Sequence, residues 1–192
     1  MTYTPEYFIN EIYDLEAVGM LSDLALRPNL FLDFLSFEEL NRKNAIAYIK
    51  SVLAECYKCG HLRVAISHQD EELYGYAMMF TLPDPKYPKY LHKIYVKEQY
   101  RGHGLGSQIL KAFSENEPRI SLLCPEDKIS FYEKHGFHLV QEYGIPENEN
   151  FLLSKGLYSG LYLMNNHTET LGAPIFLLND RDIIKIIGAE KI

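Results

Sequence analysis

No window of the chain approaches the ~18 uninterrupted apolar residues that a bilayer-spanning helix needs. The N-terminus, MTYTPEYFINEIYD, also lacks a basic stretch followed by an apolar run, so neither a membrane span nor a secretory leader is expected. Cysteine is scarce. Cys56, Cys59 and Cys124 are too few for a disulfide framework and fit a reducing compartment, which points to the cytoplasm. The CxxC spacing of Cys56 and Cys59 has no second half to complete a tetrahedral zinc shell, and no metal is expected. Basic residues are outnumbered, 19 against 26 acidic ones, for a formal net charge of -7. That balance disfavours a large surface for a nucleic-acid backbone and leaves room for a local basic pocket. Internal repeats and low-complexity tracts are absent as well. What is there is a chain of 192 residues, 47% hydrophobic and 23% charged, with the balance of a globular protein. It is read as a single domain over 1–192 in which about 145–192 form a divergent C-terminal elaboration.

The first forty residues carry an uneven apolar pattern (Leu15, Val18, Leu21, Leu24, Leu26) broken by RPN, which predicts short helices and a loop. Ser36-Phe-Glu-Glu39 is a capping box ahead of Ala45, Tyr48, Ile49, Val52, Leu53 and Cys56 at helical spacing, predicting a helix from about Phe37 to Lys58 that stops at Gly60. Leu62 to Ser67 and Leu73 to Thr81 read as an antiparallel hairpin across HQDEE, and LPDPKYPK resists regular structure because of its prolines. From Tyr90 the order becomes strand (to Val96), glycine loop, helix (Leu105 to near Glu117-Pro118), strand (Ile120 to Cys124), helix (about Asp127 to His135) and strand from Phe137. This is the grammar of an α/β sheet with a ligand at the strand ends. After Tyr143 the pattern weakens. FLLSKG and LYSGLYLM read as strand pieces, and IFLLNDRDIIKII as a strand plus a short helix.

The stretch QYRGHGLG, Gln99 to Gly106, places glycine at alternate positions between strand and helix. A helix leaves its first backbone N–H groups without internal partners, and glycines beside them let an anion come close, so pyrophosphate is one candidate guest. Arg101 would add a charge-assisted contact and Gln99 would hold the loop. A tight packing turn is the other reading. The Rossmann fingerprint is disfavoured because Gly102, Gly104 and Gly106 give GxGxG rather than GxGxxG, and a P-loop is excluded by the missing Gly-Lys-Ser/Thr.

QYRGHGLG resembles the Q/R-x-x-G-x-G/A loop of the GNAT acetyltransferases, and FYEKHGF, Phe131 to Phe137, resembles that family's FYxxxGF segment. The likeness covers residues 60 to 140 well, 1 to 60 in helix order, and 145 to 192 poorly. It implies an α/β fold with a central mixed sheet flanked by helices, whose central parallel strands splay apart around acetyl-coenzyme A as cosubstrate. The implied coenzyme-binding residues are Ile94, Tyr95, Val96, Gln99, Arg101, Gly102, His103, Gly104, Leu105 and Gly106. Pro125 departs from the family, many of whose members place Asn there.

Acetyl transfer to an amine requires a neutral amine, a polarised carbonyl and a proton or hydrogen bond for the departing thiolate. His92 lies in YLHKIYV, and strict strand alternation would place it on the face of Ile94 and Val96. Histidine titrates near working pH, so it is a candidate base or relay, against the blander reading of a hydrogen-bonded strand residue. The arylalkylamine acetyltransferase branch is similar at this strand, with a histidine matching His92, and over residues 122 to 138; a second histidine of that branch is Tyr90 here. Tyr132, in FYEKHGF, is implied by the same resemblance to be the general acid or the hydrogen-bond donor to the coenzyme sulfur. Cys124, with no His/Asp partner pattern, is disfavoured as a nucleophile, so transfer is expected to be direct. The expected function is acetyl transfer from acetyl-CoA to a primary amine. The acceptor is a small molecule or a peptide amine, and a second copy of the chain is a candidate partner. The alternative is a coenzyme A-binding regulatory or structural protein without turnover.

Overall fold

The strand-forming runs LRVAISHQ and ELYGYAMMF meet at a two-residue turn, where Asp70 takes a left-handed conformation (φ 48°) that its short polar side chain tolerates. They form the hairpin β1 (Leu62–Gln69) and β2 (Glu72–Phe80) of the computed structural model, which describes residues 4–25, 39–115, 117–145, 149–169 and 171–187. With β3 (Lys89–Val96), β4 (Ile120–Pro125), β5 (His138–Glu142) and β6 (Leu161–Asn165) they make a six-stranded sheet in the order β1-β2-β3-β4-β6-β5. Among the described strands only β3 and β4 run parallel. A parallel pair needs a crossover, and the chain supplies it as α3 (Leu105–Ser114). Ile109 and Leu110 of α3 are buried with Leu105 and Phe113 against Ala77, Met79, Leu91, Ile120, Leu122, Cys124, Phe137 and Met164. This is the apolar core beneath the strand ends. The fold is thus the expected mixed α/β arrangement.

The chain divides into two compact units. The sheet unit comprises Met1–Ile9, Tyr57–Tyr143 and Gly160–Phe176. The second unit comprises Asn10–Cys56, Gly144–Ser159 and Leu177–Ile192 and is helical, drawing on α1 (Pro5–Ala25), α2 (Glu39–Lys58) and α5 (Asp180–Ile187). Buried Ala45, Ile49 and Leu53 recur every four residues along α2, and buried Ile183 and Ile186 mark the inner face of α5. Tyr48 donates to Asp182 Oδ1 (2.5 Å), and Lys50 pairs with Asp14 (2.6 Å), linking α2 to α5 and to α1. No described helix is long and apolar enough to cross a membrane.

The segments around this frame differ from the sequence reading in four places. The N-terminal region holds one 21-residue helix rather than short ones, because Tyr13, Ala17, Leu21 and Leu24 recur at helical spacing on one face and are buried along its length, with Ile12 beside them. The expected capping box at Ser36 lies outside the described residues. The helix expected from Asp127 to His135 is shorter: a 3-10 turn (Glu126–Lys128) leads into α4 (Ile129–Glu133), which ends ahead of Gly136 at φ 83°. FLLSKG is 3-10 and turn structure, and IFLLN carries no strand; its neighbour α5 is the helix expected there.

Asp180 explains why residues 152–154 turn rather than extend. Its carboxylate accepts the backbone N–H groups of Leu152 (2.8 Å), Leu153 (2.9 Å) and Ser154 (3.0 Å) and the Ser154 hydroxyl (3.1 Å). Bonds to a charged acceptor are the stronger kind. Asp180→Ala is expected to cost about 1–3 kcal/mol and to speed amide hydrogen exchange at Leu152, Leu153 and Ser154. Unchanged exchange at those three amides would mean that water satisfies them equally well.

Candidate active site

The β3–β4 ladder is short. It pairs Lys89 with Ile120, Tyr90 with Ser121 and Leu91 with Leu122, after which β3 continues to Val96 and β4 to Pro125 without further register between them. β4 keeps its other neighbour, β6, as far as Pro125, and β3 keeps β2 as far as Val96. The sheet therefore opens between His92–Val96 and Leu123–Pro125. Gly75 fixes the β2 side of this opening: a Cβ there would lie 2.5 Å from the Tyr95 carbonyl oxygen, so no other residue permits that approach. Ile94 and Val96 pack against the core, and Tyr95 stacks on buried Tyr76 (5.2 Å). What these three residues can offer a ligand in the opening is consequently main chain.

The glycine loop stands where β3 ends. A 3-10 turn (Glu98–Tyr100) follows β3, and the Tyr100 hydroxyl donates to Glu72 while its ring lies 4.0 Å from that of Tyr74. This hydrogen bond pushes the phenol above its ordinary range. Arg101 donates from Nε to the Val96 carbonyl (2.9 Å), so a contact from Arg101 to an anion would fall to its Nη groups. Gly102 (φ 82°) and Gly104 (φ 76°) are left-handed, and Gly104 is the N-cap of α3. The first bond of the helix runs from Gln108 N–H to Gly104 O (3.1 Å), so the amides of Leu105, Gly106 and Ser107 have no acceptor within it. A Cβ at Gly102 or Gly104 would meet nothing within 4 Å, and one at Gly106 only Val96 Cγ2 at 3.9 Å. Packing inside the chain does not require glycine here. The space above these amides suits a guest such as pyrophosphate.

Tyr132 lies on α4 against the same core, its ring edge-on to Phe131 (5.0 Å) and Phe137 (5.8 Å). Burial, with Cys124 beside it, pushes its phenol up to about 12. It stays protonated throughout the working range. Cys124 is 2% exposed, its Sγ touches Met164 Sδ at 3.5 Å, and burial followed by the Asp127 charge pushes the thiol up to about 11. A thiol held neutral is a poor nucleophile, in keeping with the sequence expectation.

His92 occupies a different face from the one strict alternation gave it. Met78 pairs with Lys93 but Met79 with Leu91, so His92 is the extra residue of a β-bulge. Leu91, Ile94 and Val96 all reach the core, an odd step that only the bulge allows. The imidazole instead joins Tyr90 (5.9 Å), Phe80 (5.5 Å, 82°) and Phe176 (5.3 Å, 75°). Phe80, Phe176 and Gly75 were not legible as site residues. Only Gly75 had a signal, a lone glycine inside a strand pattern.

A buried serine beside a histidine, Ser121 and His167 (3.3 Å), invites comparison with a nucleophile and base. The Glu169 N–H donates to His167 Nδ1 (3.2 Å), which places the neutral ring's proton on Nε2, facing Ser121. Burial lowers the imidazole below its ordinary range and favours that neutral form. The pair is a structural hydrogen bond, because the nitrogen facing the hydroxyl already carries a proton.

Gly106 gives the sharpest test of the cradle, since its backbone is ordinary and a methyl group fits inside the chain. Gly106→Ala is expected to leave the melting temperature unchanged or higher, as Gly→Ala at a compatible position does, and to weaken coenzyme A binding at least several-fold. Calorimetric titration with coenzyme A measures it. Unaltered affinity would show that no ligand approaches the loop at this point.

Residues 60–139 match the acetyltransferase (GNAT) domain. The spermine/spermidine N(1)-acetyltransferase of Bacillus subtilis (strain 168) is 27% identical over 116 residues, covering 55% of this chain and 76% of that protein. Among solved structures, an acetyltransferase from Thermus thermophilus aligns over 79% of this chain and 90% of its own (16% identity, TM-score 0.48). Escherichia coli ElaA aligns over 69% and 93% (17% identity, TM-score 0.44). The domain match spans β1 through the start of β5 and contains both the glycine loop and FYEKHGF, so residues 60–139 are the part of the chain that is similar to the acetyltransferase (GNAT) domain.

Proposed function

We propose that the β3–β4 opening is where this N-acetyltransferase brings acetyl-CoA and a small cationic amine together. The observation that carries the reading is the early end of the parallel ladder at Leu91 and Leu122, with the glycine loop and the α3 N-terminus at the end of the strand so exposed. Gln99, Arg101, Gly102, His103, Gly104, Leu105 and Gly106 would hold the pyrophosphate, and the main chain of Ile94, Tyr95 and Val96 would lie along the rest of the coenzyme. Bound acetyl-CoA supplies a thioester, an acyl carbonyl joined to a sulfur leaving group.

The chain's residues then have two proton tasks. His92, as base or relay, accepts a proton from the amine at a ring nitrogen, directly or through water. Tyr132 donates a hydrogen bond from its hydroxyl toward the sulfur. With the phenol near 12 and an ordinary thiol at ~8.5, complete transfer from Tyr132 is uphill, so a donated hydrogen bond is the form of assistance its burial favours. The relative from Bacillus subtilis is named for spermine and spermidine, and the net charge of -7 would draw such cations by long-range steering. The cytoplasm is the proposed compartment, on the cysteine usage.

Thiol release from acetyl-CoA, followed with a panel of polyamines and arylalkylamines, tests the activity, and the absence of acetylated product from every primary amine would overturn the reading. Tyr132→Phe is expected to lower kcat roughly 10-fold to 10⁴-fold with coenzyme A affinity nearly unchanged. Because burial keeps the phenol protonated up to about 12, the wild-type profile should show no loss from Tyr132 ionisation below roughly pH 10. A Tyr132→Phe protein with full turnover, where chemistry limits the rate, would remove Tyr132 from the mechanism.

A further inference from the structure

We propose that Phe176 is a positioning residue for His92, supplied by the C-terminal part of the chain rather than by the matched acetyltransferase segment. The inference rests on the reading of His92 as base or relay. Phe176 lies between β6 and α5, where the described residues form no helix or strand, well beyond residue 139 where the domain match ends. Its ring is parallel to that of Phe80, at 4.7 Å and 6°, and the imidazole of His92 stands nearly perpendicular to both.

Three observations make this more than incidental packing. An imidazole turns about a broad, roughly two-fold torsion, so its tilt is set by what it packs against rather than by a rotamer well. At a bulge the regular ladder gives little further constraint, and from His92 onward β3 has also left β4. Of the rings Phe80, Tyr90 and Phe176 that meet His92, Phe80 and Tyr90 are cross-strand partners fixed by the sheet, while Phe176 comes from a separate segment. That segment is held locally: Pro174 restricts its backbone, and the Ile175 N–H donates to the Ala173 carbonyl (2.9 Å) in a γ-turn just ahead of Phe176. The stacked pair thus presents a fixed aromatic wall against which one orientation of the imidazole is retained. Proton transfer depends steeply on such placement.

A double-mutant cycle on the full chain separates this role from plain packing. Phe176→Leu is expected to lower kcat/KM for the amine roughly 10-fold, a part of the 10²–10⁴ that base catalysis supplies, with KM for acetyl-CoA unchanged. Phe176→Tyr, which keeps the ring, should restore most of the rate. In a His92→Gln background, Phe176→Leu should cause no further loss beyond about 2-fold, as expected if the two residues act as one unit. Phe176→Met carries the same test if the leucine protein does not fold. An equal loss in both backgrounds, or a loss expressed in KM for acetyl-CoA, would make Phe176 structural and leave His92 in place. Full activity of His92→Gln alone would instead remove the base, and the positioning role with it.

Discussion

Everything in the sheet unit turns on a parallel ladder that stops early. Backbone N–H and C=O groups are obligatory hydrogen-bonding partners, and a strand that leaves its neighbour inside a sheet exposes a row of them. Here β3 does so from His92 onward, while β2 on one side of it and β6 beyond β4 hold the two halves in register. The bulge at His92 falls at the point of departure, which is physically coherent. An extra residue bends and twists its strand, and a strand bent away from β2's regular pairing is also turned relative to β4. Gly75 then lets β2 press against the Tyr95 carbonyl, so the exposed edge is supported from behind rather than loose. An edge of this kind, rigid on one side and open on the other, is suited to bind an extended polar ligand along its main chain.

The end of β3 is tied down by contacts that share one purpose. Arg101 caps the Val96 carbonyl, Lys97 N–H reaches the Tyr74 carbonyl (2.9 Å), and Tyr100 is held by Glu72 and the Tyr74 ring. Each bond links the segment before the glycines to the strands below it. The loop can therefore be rich in left-handed glycine without being floppy, since its start is fixed by side chains and its end by the amphipathic α3, whose Ile109 and Leu110 are buried. The entropy lost in ordering glycine is offset by neighbours rather than by the loop itself.

Much of this was legible from the chain, for definite reasons. Between residues 60 and 140 strands alternate with helices over short distances, the glycines and prolines sit at the boundaries, and one spacing, QYRGHGLG followed by FYEKHGF, narrows the field. The hairpin, the order of the later strands and α2 followed from local pattern alone. The face of His92 did not, because period-2 reasoning assumes a ladder without bulges, and the bulge shows only in the pairing of Met78 and Met79 with residues two apart. The single helix α1 was not legible because the pattern of Leu15, Val18, Leu21, Leu24 and Leu26 includes Leu15, which is half-buried, and Val18, which is exposed, whereas the buried stripe runs through Tyr13, Ala17, Leu21 and Leu24. The turn at residues 152–154 depends on Asp180, 26 residues beyond Ser154, and no local propensity could have disclosed it. Phe176 is the same kind of case: its sequence context, APIFLLN, reads as a strand, and its meaning arises only from the rings it meets.

The two neutral buried groups, Tyr132 and Cys124, bear on how protons must be managed in the proposed reaction. A group that gives up its proton outright has to recover it before the next turnover. For a phenol held near 12 the recovery is easy but the donation is uphill. A group that only shares its proton avoids both steps, and its hydrogen bond strengthens as negative charge grows on the acceptor, which is the condition for assisting a transition state more than a ground state. The thiol of Cys124, held near 11 by burial and by Asp127, adds no negative charge that would compete for that hydrogen bond. Net proton removal is then left to the amine side, where a cationic acceptor must lose a proton before it can attack. In the proposed reaction that burden would fall on His92, on the far face of a bulged strand and walled by aromatic rings. The two proton tasks would thus fall to different elements and different local environments, Tyr132 on α4 in a buried, uncharged setting and His92 on β3, the strand that opens.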